Sequence, residues 1–422
     1  MNNKDAIRLK TMKEYYPINE HIEVIGIIKF RNSYIDHIKN NLLSMKSDLS
    51  KSHIIFLIDT SYSMKEDTGN GRKIEVLKKE LKKLIDYGYL DDKYISIVSF
   101  DLDAKLHIEH LDVSANKNKI LSVISNLQAI GEATYAYKGF SLIEEELINL
   151  EGVSNRIIYF TDGEDFDTNL AEEKVKSLLN NGVITTAVGV GSEYNELFLN
   201  DIADIGKGDF YHLTDIDKFF DEIKYEIRKM DNEVIRNIEI EKLFYPSNVE
   251  PLEVYKVGHG VVKLEIENNE IICGNLTEDE RIYFKFRVNN IKREGKYIIL
   301  TAVLRYKIGK EELKEEIVFP IQVSSDEELI SMPADREVLE LNKQISIFKK
   351  VKEASELANL GKEKEAREKI AGITPFLKEF DSPEIDTIMK DIKNGKFITR
   401  EVTRALLSYT RTKTKTKSVD TY

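Results

Sequence analysis

His53-Ile54-Ile55-Phe56-Leu57-Ile58-Asp59-Thr60-Ser61-Tyr62-Ser63-Met64 carries an apolar run that ends in one carboxylate and two hydroxyls at alternate positions. A short, uninterrupted apolar run reads as a strand buried on both faces, the kind found in parallel sheets. In open α/β sheets, ligands bind at the carboxyl ends of such strands. Asp59, Ser61 and Ser63 stand at that end. They offer only oxygen, which suits a small hard cation. The same residue types also suit a helix N-cap region, since Asp and Ser favour caps and turns. The surrounding sequence has to decide between the two.

Working outward, residues 50–230 alternate apolar runs with amphipathic stretches. Strands are expected at 53–58, 94–100, 104–109, 156–161, 183–190 and 209–213, and helices at 73–87, 116–127, 135–149, 169–181, 194–205 and 215–230. Regular alternation of this kind predicts an α/β domain with a doubly wound, mostly parallel sheet covered by helices on both faces. The close spacing of 94–100 and 104–109 predicts one antiparallel hairpin at an edge.

Residues 231–330 change character: Val, Ile, Tyr and Phe alternate with charge, as in Arg-Ile-Tyr-Phe-Lys-Phe-Arg-Val (281–288), and Gly and Asn mark the turns. That pattern predicts an antiparallel β-sandwich of about six strands. In the N-terminal segment 1–49, residues 20–31 alternate in the same way. This strand can complete the sandwich, which would make the α/β domain an insertion in it. Past Pro333 the apolar spacing turns helical through 331–409. A helical hairpin at 345–370, packed on the sandwich, and further helices near 383–393 and 398–408 are expected. The tail 410–422 has no apolar stripe and is expected to be disordered.

If a cation sits above Asp59, neighbouring loops on the same sheet edge must add oxygens. Thr134, in Gly-Glu-Ala-Thr-Tyr-Ala-Tyr-Lys-Gly (131–139), precedes a predicted helix and can serve as cap and as hydroxyl ligand. Asp162, in Ile-Ile-Tyr-Phe-Thr-Asp-Gly-Glu-Asp (157–165), ends another apolar strand in an Asp-Gly turn. Taken singly, each is more often a cap or a turn residue. Together and in this order they reinforce the Asp59 loop.

These residues carry a resemblance. Segment 50–230 resembles a von Willebrand factor A domain, and Asp59, Ser61, Ser63, Thr134 and Asp162 match its metal-ion-dependent adhesion site in order and context. Residues 186–197 and 202–211 are similar to the family's final strand and helix. One departure is Ala133, where the family often has Gly. The resemblance implies that the hydroxyls contact Mg2+ or Mn2+ directly and that the carboxylates act largely through water. Residues 274–284 and the strand ending in Arg305-Tyr306 are similar to the β-domain that follows A domains in some intracellular proteins, and 345–370 to their closing helical segment.

A divalent ion held this way is under-neutralised, with one position left to water, so it attracts a Glu or Asp of a protein partner. The expected function is metal-dependent protein binding in a cytosolic assembly, without catalysis. The alternatives are a Mg-dependent phosphate-handling enzyme, to which Glu164, Asp165 and Asp167 could contribute, and a scaffold stabilised by metal. Against an enzyme, the seven His are scattered, there is no P-loop, and Gly189-Val-Gly191 lacks the third glycine of a dinucleotide fingerprint. A net charge of −12 argues against nucleic acid. No apolar run approaches the roughly 18 residues of a membrane span, and the polar start carries no signal-peptide core, so a cytoplasmic location is expected. With one cysteine, Cys273, the chain can form no internal disulfide.

Overall fold

The computed structural model describes residues 6–377 apart from 45–51, 68–70, 149–152, 163–164, 192–193, 214–215, 234, 259 and 310, and beyond 377 only Lys390 and Leu406. The helices expected near 383–393 and 398–408 therefore lie outside the described residues, apart from those two, and the tail lies outside them altogether.

Six strands form one sheet in the spatial order Ala104–Asp112, Tyr94–Phe100, Ser52–Asp59, Ser154–Thr161, Ile184–Val190, Lys207–Leu213. Every neighbouring pair is parallel except the edge hairpin Tyr94–Phe100 with Ala104–Asp112. Ser52–Asp59, Ser154–Thr161 and Ile184–Val190 are buried along their whole length, which is why they read as continuous apolar runs. Alternate side chains go to opposite faces. Ile54, Phe56 and Ile58 pack with helices Lys73–Asp86, Val113–Asn126 and Ile216–Asn232. Ile55 and Leu57 pack with Ala136–Glu146, Thr168–Asn180 and Glu196–Ile205.

From Ser52–Asp59 the chain runs out to one edge and then returns to Ser154–Thr161 on the other side of its starting strand. The strand order therefore reverses between these two neighbours. Their carboxyl ends form the crevice in which doubly wound folds bind ligands.

The remaining strands make two five-stranded sheets packed as a sandwich. Seven of these strands lie between Ile235 and Ser324, one more than expected, the short Val261–Leu264 among them. Asn19–Phe30 pairs with Arg281–Ile291, so the sandwich strands flank the α/β domain in sequence. Segment 1–49 also supplies strands Ile7–Thr11 and Tyr15–Pro17 and helix Asn32–Ser44, whose Tyr34, Ile35 and Ile38 join the sandwich core. From Val24 to Ile28, Asn19–Phe30 is apolar on both faces because both are covered there. Val24 and Ile28 enter the sandwich core, while Ile25 and Ile27 meet Leu341, Ile345 and Phe348 of helix Arg336–Asn359. Glu337, in the first turn of that helix, receives Lys10, Lys29 and Arg281 from the sheet below.

Gly26, mid-strand, has no side chain because the Phe319 ring fills the space a β-carbon would take. Gly26→Ala is expected to lose about 2 kcal/mol through overpacking. In urea unfolding, Phe319→Leu added to Gly26→Ala should recover part of that loss; strict additivity of the two losses would refute the contact.

The sandwich holds the α/β domain at the amino ends of its strands. Arg156, near the start of its strand, pairs with Glu226 of helix Ile216–Asn232 and, at 2.5 Å, with Glu233 just beyond it. Glu226 also accepts from the hydroxyls of Thr186 and Tyr211, both at 2.8 Å. Glu233 in turn accepts from the Asn275 amide of the sandwich at 3.0 Å. Lys229 bridges Asp209 of the sheet, at 3.0 Å, and Glu280 of the sandwich, at 2.9 Å.

Candidate metal centre

Asp59 ends its strand with a carboxylate fully shielded from solvent. Its Oδ1 accepts the Ser61 amide at 2.8 Å, a local turn that folds the chain back over the strand end. Its Oδ2 accepts the Thr161 hydroxyl at 2.6 Å, tying it to the neighbouring strand. Tyr62–Lys65 then forms a single 3-10 turn. Ser61 occupies the N-cap position of that turn, yet its side chain caps nothing. Instead Ser61 Oγ meets Ser63 Oγ at 2.9 Å, and Ser63 Oγ donates to Asp162 Oδ1 at 2.7 Å. The capping alternative for Ser61 is thus not what its hydroxyl does. Ser61, Ser63 and Asp162 form one hydrogen-bonded chain beside Asp59.

Thr134 is buried on the same edge, but its own segment brings it there. Its carbonyl accepts the Phe166 amide at 3.1 Å, and the next amide, Tyr135, donates to the Asp101 carbonyl at 3.0 Å. Ser61 bridges to Gly131, and Tyr62 donates to the Gly131 carbonyl at 2.7 Å. The Thr134 loop is therefore fastened on one side to the Ser61 turn and on the other to the loop after Asp162. Its role as a cap needs correction: the N-cap of helix Ala136–Glu146 is Tyr135, without a side-chain bond. The Ala136 amide is taken by Asp165 Oδ2 at 2.7 Å. Of the acidic cluster, Asp165 is thus a tether between loops, Asp167 is exposed, and Glu164 lies outside the described residues.

Burial pushes the Asp59 carboxyl up to about 7, and the nearby Asp162 charge adds to it against the donors from Thr161 and Ser61. Burial also raises Asp162, opposed by Lys73. The Lys73 ammonium stands 2.7 Å from Asp162 Oδ2 and 2.5 Å from Glu66 Oε2. Burial works against its charge, but these two acceptors outweigh burial and hold its pKa above the ordinary value. The sequence reading missed Lys73. The available signal was a lysine in the first turn of a helix, where the macrodipole favours acids.

The donor set fits a hard divalent cation. Two buried carboxylates raise each other's energy, three hydroxyl residues share their edge, and Asp59 has amide and hydroxyl donors but no cation among its described partners. Among the described residues no three His, Cys, Asp or Glu gather into a cage, so a metal would depend on the hydroxyls. Three of the imidazoles are engaged elsewhere: His53 with Asn155 and Ser96, His107 with Ser99, His110 with the Leu147 carbonyl.

The profile of the von Willebrand factor type A domain matches residues 53–225. The uncharacterized protein YfbK of Escherichia coli K12 is 26% identical over 283 residues, which is 64% of this chain and 48% of that protein. The chain thus spans about half the length of that relative. A solved von Willebrand factor type A protein from Catenulispora acidiphila superposes with a TM-score of 0.76 at 14% identity, covering 98% of this chain and 99% of that one. The ArnB paralog VWA2 from Sulfolobus acidocaldarius gives 0.57 at 18% identity, covering 96% and 98%. At such identities the likeness shows the fold alone, and it extends over the sandwich as well as the α/β domain. Residues 53–225 are a von Willebrand factor type A domain, carried in a chain that adds an antiparallel sandwich and C-terminal helices.

Proposed function

We propose that the domain binds Mg2+ or Mn2+ through Asp59, Ser61, Ser63, Thr134 and Asp162 and uses the ion to hold a Glu or Asp side chain of a protein partner in a cytoplasmic assembly. Von Willebrand factor A domains are protein-interaction modules. The observation that carries the metal reading is the pair of buried carboxylates, Asp59 and Asp162, beside the linked Ser61 and Ser63 hydroxyls where the strand order reverses. The bound ion would supply Lewis acidity toward an incoming carboxylate; the protein's own groups fix the oxygens around it.

The surroundings of the site suit a protein partner. Tyr62 and Ile130 are each 66% exposed and Phe166 is 68% exposed, all three on loops that carry or adjoin the site residues. Tyr135 packs between Phe166 and Tyr137, with ring centroids 5.7 and 5.9 Å away. Aromatic groups around a desolvated central contact are the anatomy of an interface hot spot. We assign no catalysis to the site, because the hydroxyls of Ser61 and Ser63 bond to each other and to Asp162, with no imidazole beside them among the described residues. Nor do we assign a membrane or nucleic-acid partner: among the described residues no helix is long and apolar enough to cross a membrane, and the net charge is −12.

The test uses Mn2+ as probe. Titration should show one site, and the water-proton relaxation of the Mn2+ complex should fall as acetate displaces a bound water. Absence of Mn2+ binding, or relaxation that acetate leaves unchanged, would sink the proposal.

A further inference from the structure

Among the described residues, Lys73 is the one cation found at the proposed metal site, and the fold makes room for it. Its stem runs past Gly191, where a β-carbon would stand 2.8 Å from Lys73 Cε; Gly191 also has φ +87. The second glycine of Gly189-Val-Gly191 thus serves neither a nucleotide nor a turn alone; it clears the path of a lysine to Asp162. Lys73 has two acceptors of unlike character: the Asp162 side chain is fully buried, while that of Glu66 is 63% exposed. The Lys73 amide also donates to the Glu66 carbonyl at 3.0 Å, and the Glu66 amide to the Ser63 carbonyl at 3.0 Å. The turn that presents Ser63 therefore also presents the lysine's second acceptor.

We propose that Lys73 is a built-in counter-cation that competes with the divalent ion for Asp162, and that Glu66 retains the ammonium when the metal takes the carboxylate. This rests on the metal reading above and adds a regulatory residue to it. Without metal, the ammonium neutralises a carboxylate that would otherwise be buried and unpaired, a costly state. With metal bound, the same positive charge stays nearby, weakening cation affinity while making the loaded site more attractive to an anionic partner. Glu66 lowers the cost of loading, because Lys73 keeps one acceptor.

The experiment measures Mn2+ affinity of the full chain by calorimetry, and melting temperature with and without Mn2+, for wild type, Lys73→Met and Glu66→Gln. Lys73→Met should melt lower without metal, bind Mn2+ roughly tenfold tighter, and gain more from its addition. Glu66→Gln should melt as wild type without metal and bind Mn2+ several-fold more weakly. Mn2+ binding by Lys73→Met alone also supports the proposal. If wild type binds Mn2+ and either folded variant binds it equally well, the counter-cation role is overturned and the metal site stands. If no chain binds Mn2+, both fall. If Lys73→Met does not fold, Glu66→Gln decides: weaker binding supports the role, and unchanged binding overturns it.

Discussion

Replacing Arg156 by methionine is expected to destabilise the protein by about 3–5 kcal/mol, because it strands two carboxylates in a dry interior. Arg156, Glu226 and Glu233 are all essentially inaccessible to solvent, and both acids take guanidinium bonds from this one residue. The Thr186 and Tyr211 hydroxyls and the Asn275 amide also satisfy them but bring no charge. Adding Glu226→Gln and Glu233→Gln to Arg156→Met should recover a large part of the loss, since the amides keep an acceptor and shed the buried charge. Guanidinium denaturation of the three proteins measures this. A loss under about 1 kcal/mol for Arg156→Met would mean that the cluster does not clamp the two domains together.

Asp59→Asn is expected to abolish cation binding and, with EDTA present, to make the protein more stable at pH 8 by about 2 kcal/mol or more. Each unit by which a pKa differs between folded and unfolded chain is worth about 1.4 kcal/mol. The Asp59 carboxyl is raised from 3.8 to about 7 in the fold. Between those values the native state keeps a proton that the unfolded chain has released, so this group costs stability increasingly as pH rises from 4 to 7. Above 7 the full cost applies. An amide does not titrate and avoids it, so the advantage of the variant should shrink toward pH 5. His53, which burial lowers from 6.5 to about 4, acts in the opposite sense. Its contribution is complete above 6.5 and is lost as pH falls toward 4. Comparing the two proteins at each pH cancels it. If the Asp59→Asn variant is less stable than wild type at pH 8, the carboxylate is satisfied without a cation.

The α/β domain was legible in the sequence because parallel strands buried on both faces cannot disguise themselves as anything but apolar runs. Ile54 to Ile58 is such a run; the strand expected over 53–58 is Ser52–Asp59, one residue longer at each end. The candidate site residues stood out for a related reason: Asp59 and Asp162 lie at strand ends and Thr134 shortly before a helix, where punctuation in the sequence is sharp. Tyr15–Pro17, three residues paired only with Gln322–Ser324, was too short to leave a pattern. Helix Asn32–Ser44 was missed because its polar positions dilute the stripe of Tyr34, Ile35 and Ile38. Lys73 and Asp162 are 89 residues apart, and a contact made only by folding leaves no local mark.

The pairing of Asn19–Phe30 with Arg281–Ile291 has a consequence for how the chain is made. On a ribosome, Ile28 emerges about 250 residues before its partner Ile282. At roughly 5–20 residues per second, that interval lasts on the order of 10–50 s. During it the strand can pair with Ile7–Thr11 on one edge but has neither Arg281–Ile291 on the other nor its covering helix Arg336–Asn359. The von Willebrand factor A domain, whose own contacts are complete by Asn232, can fold in the interval. The nascent protein therefore acquires its candidate binding module before its scaffold, and the waiting strand is the segment a holding chaperone would be expected to bind.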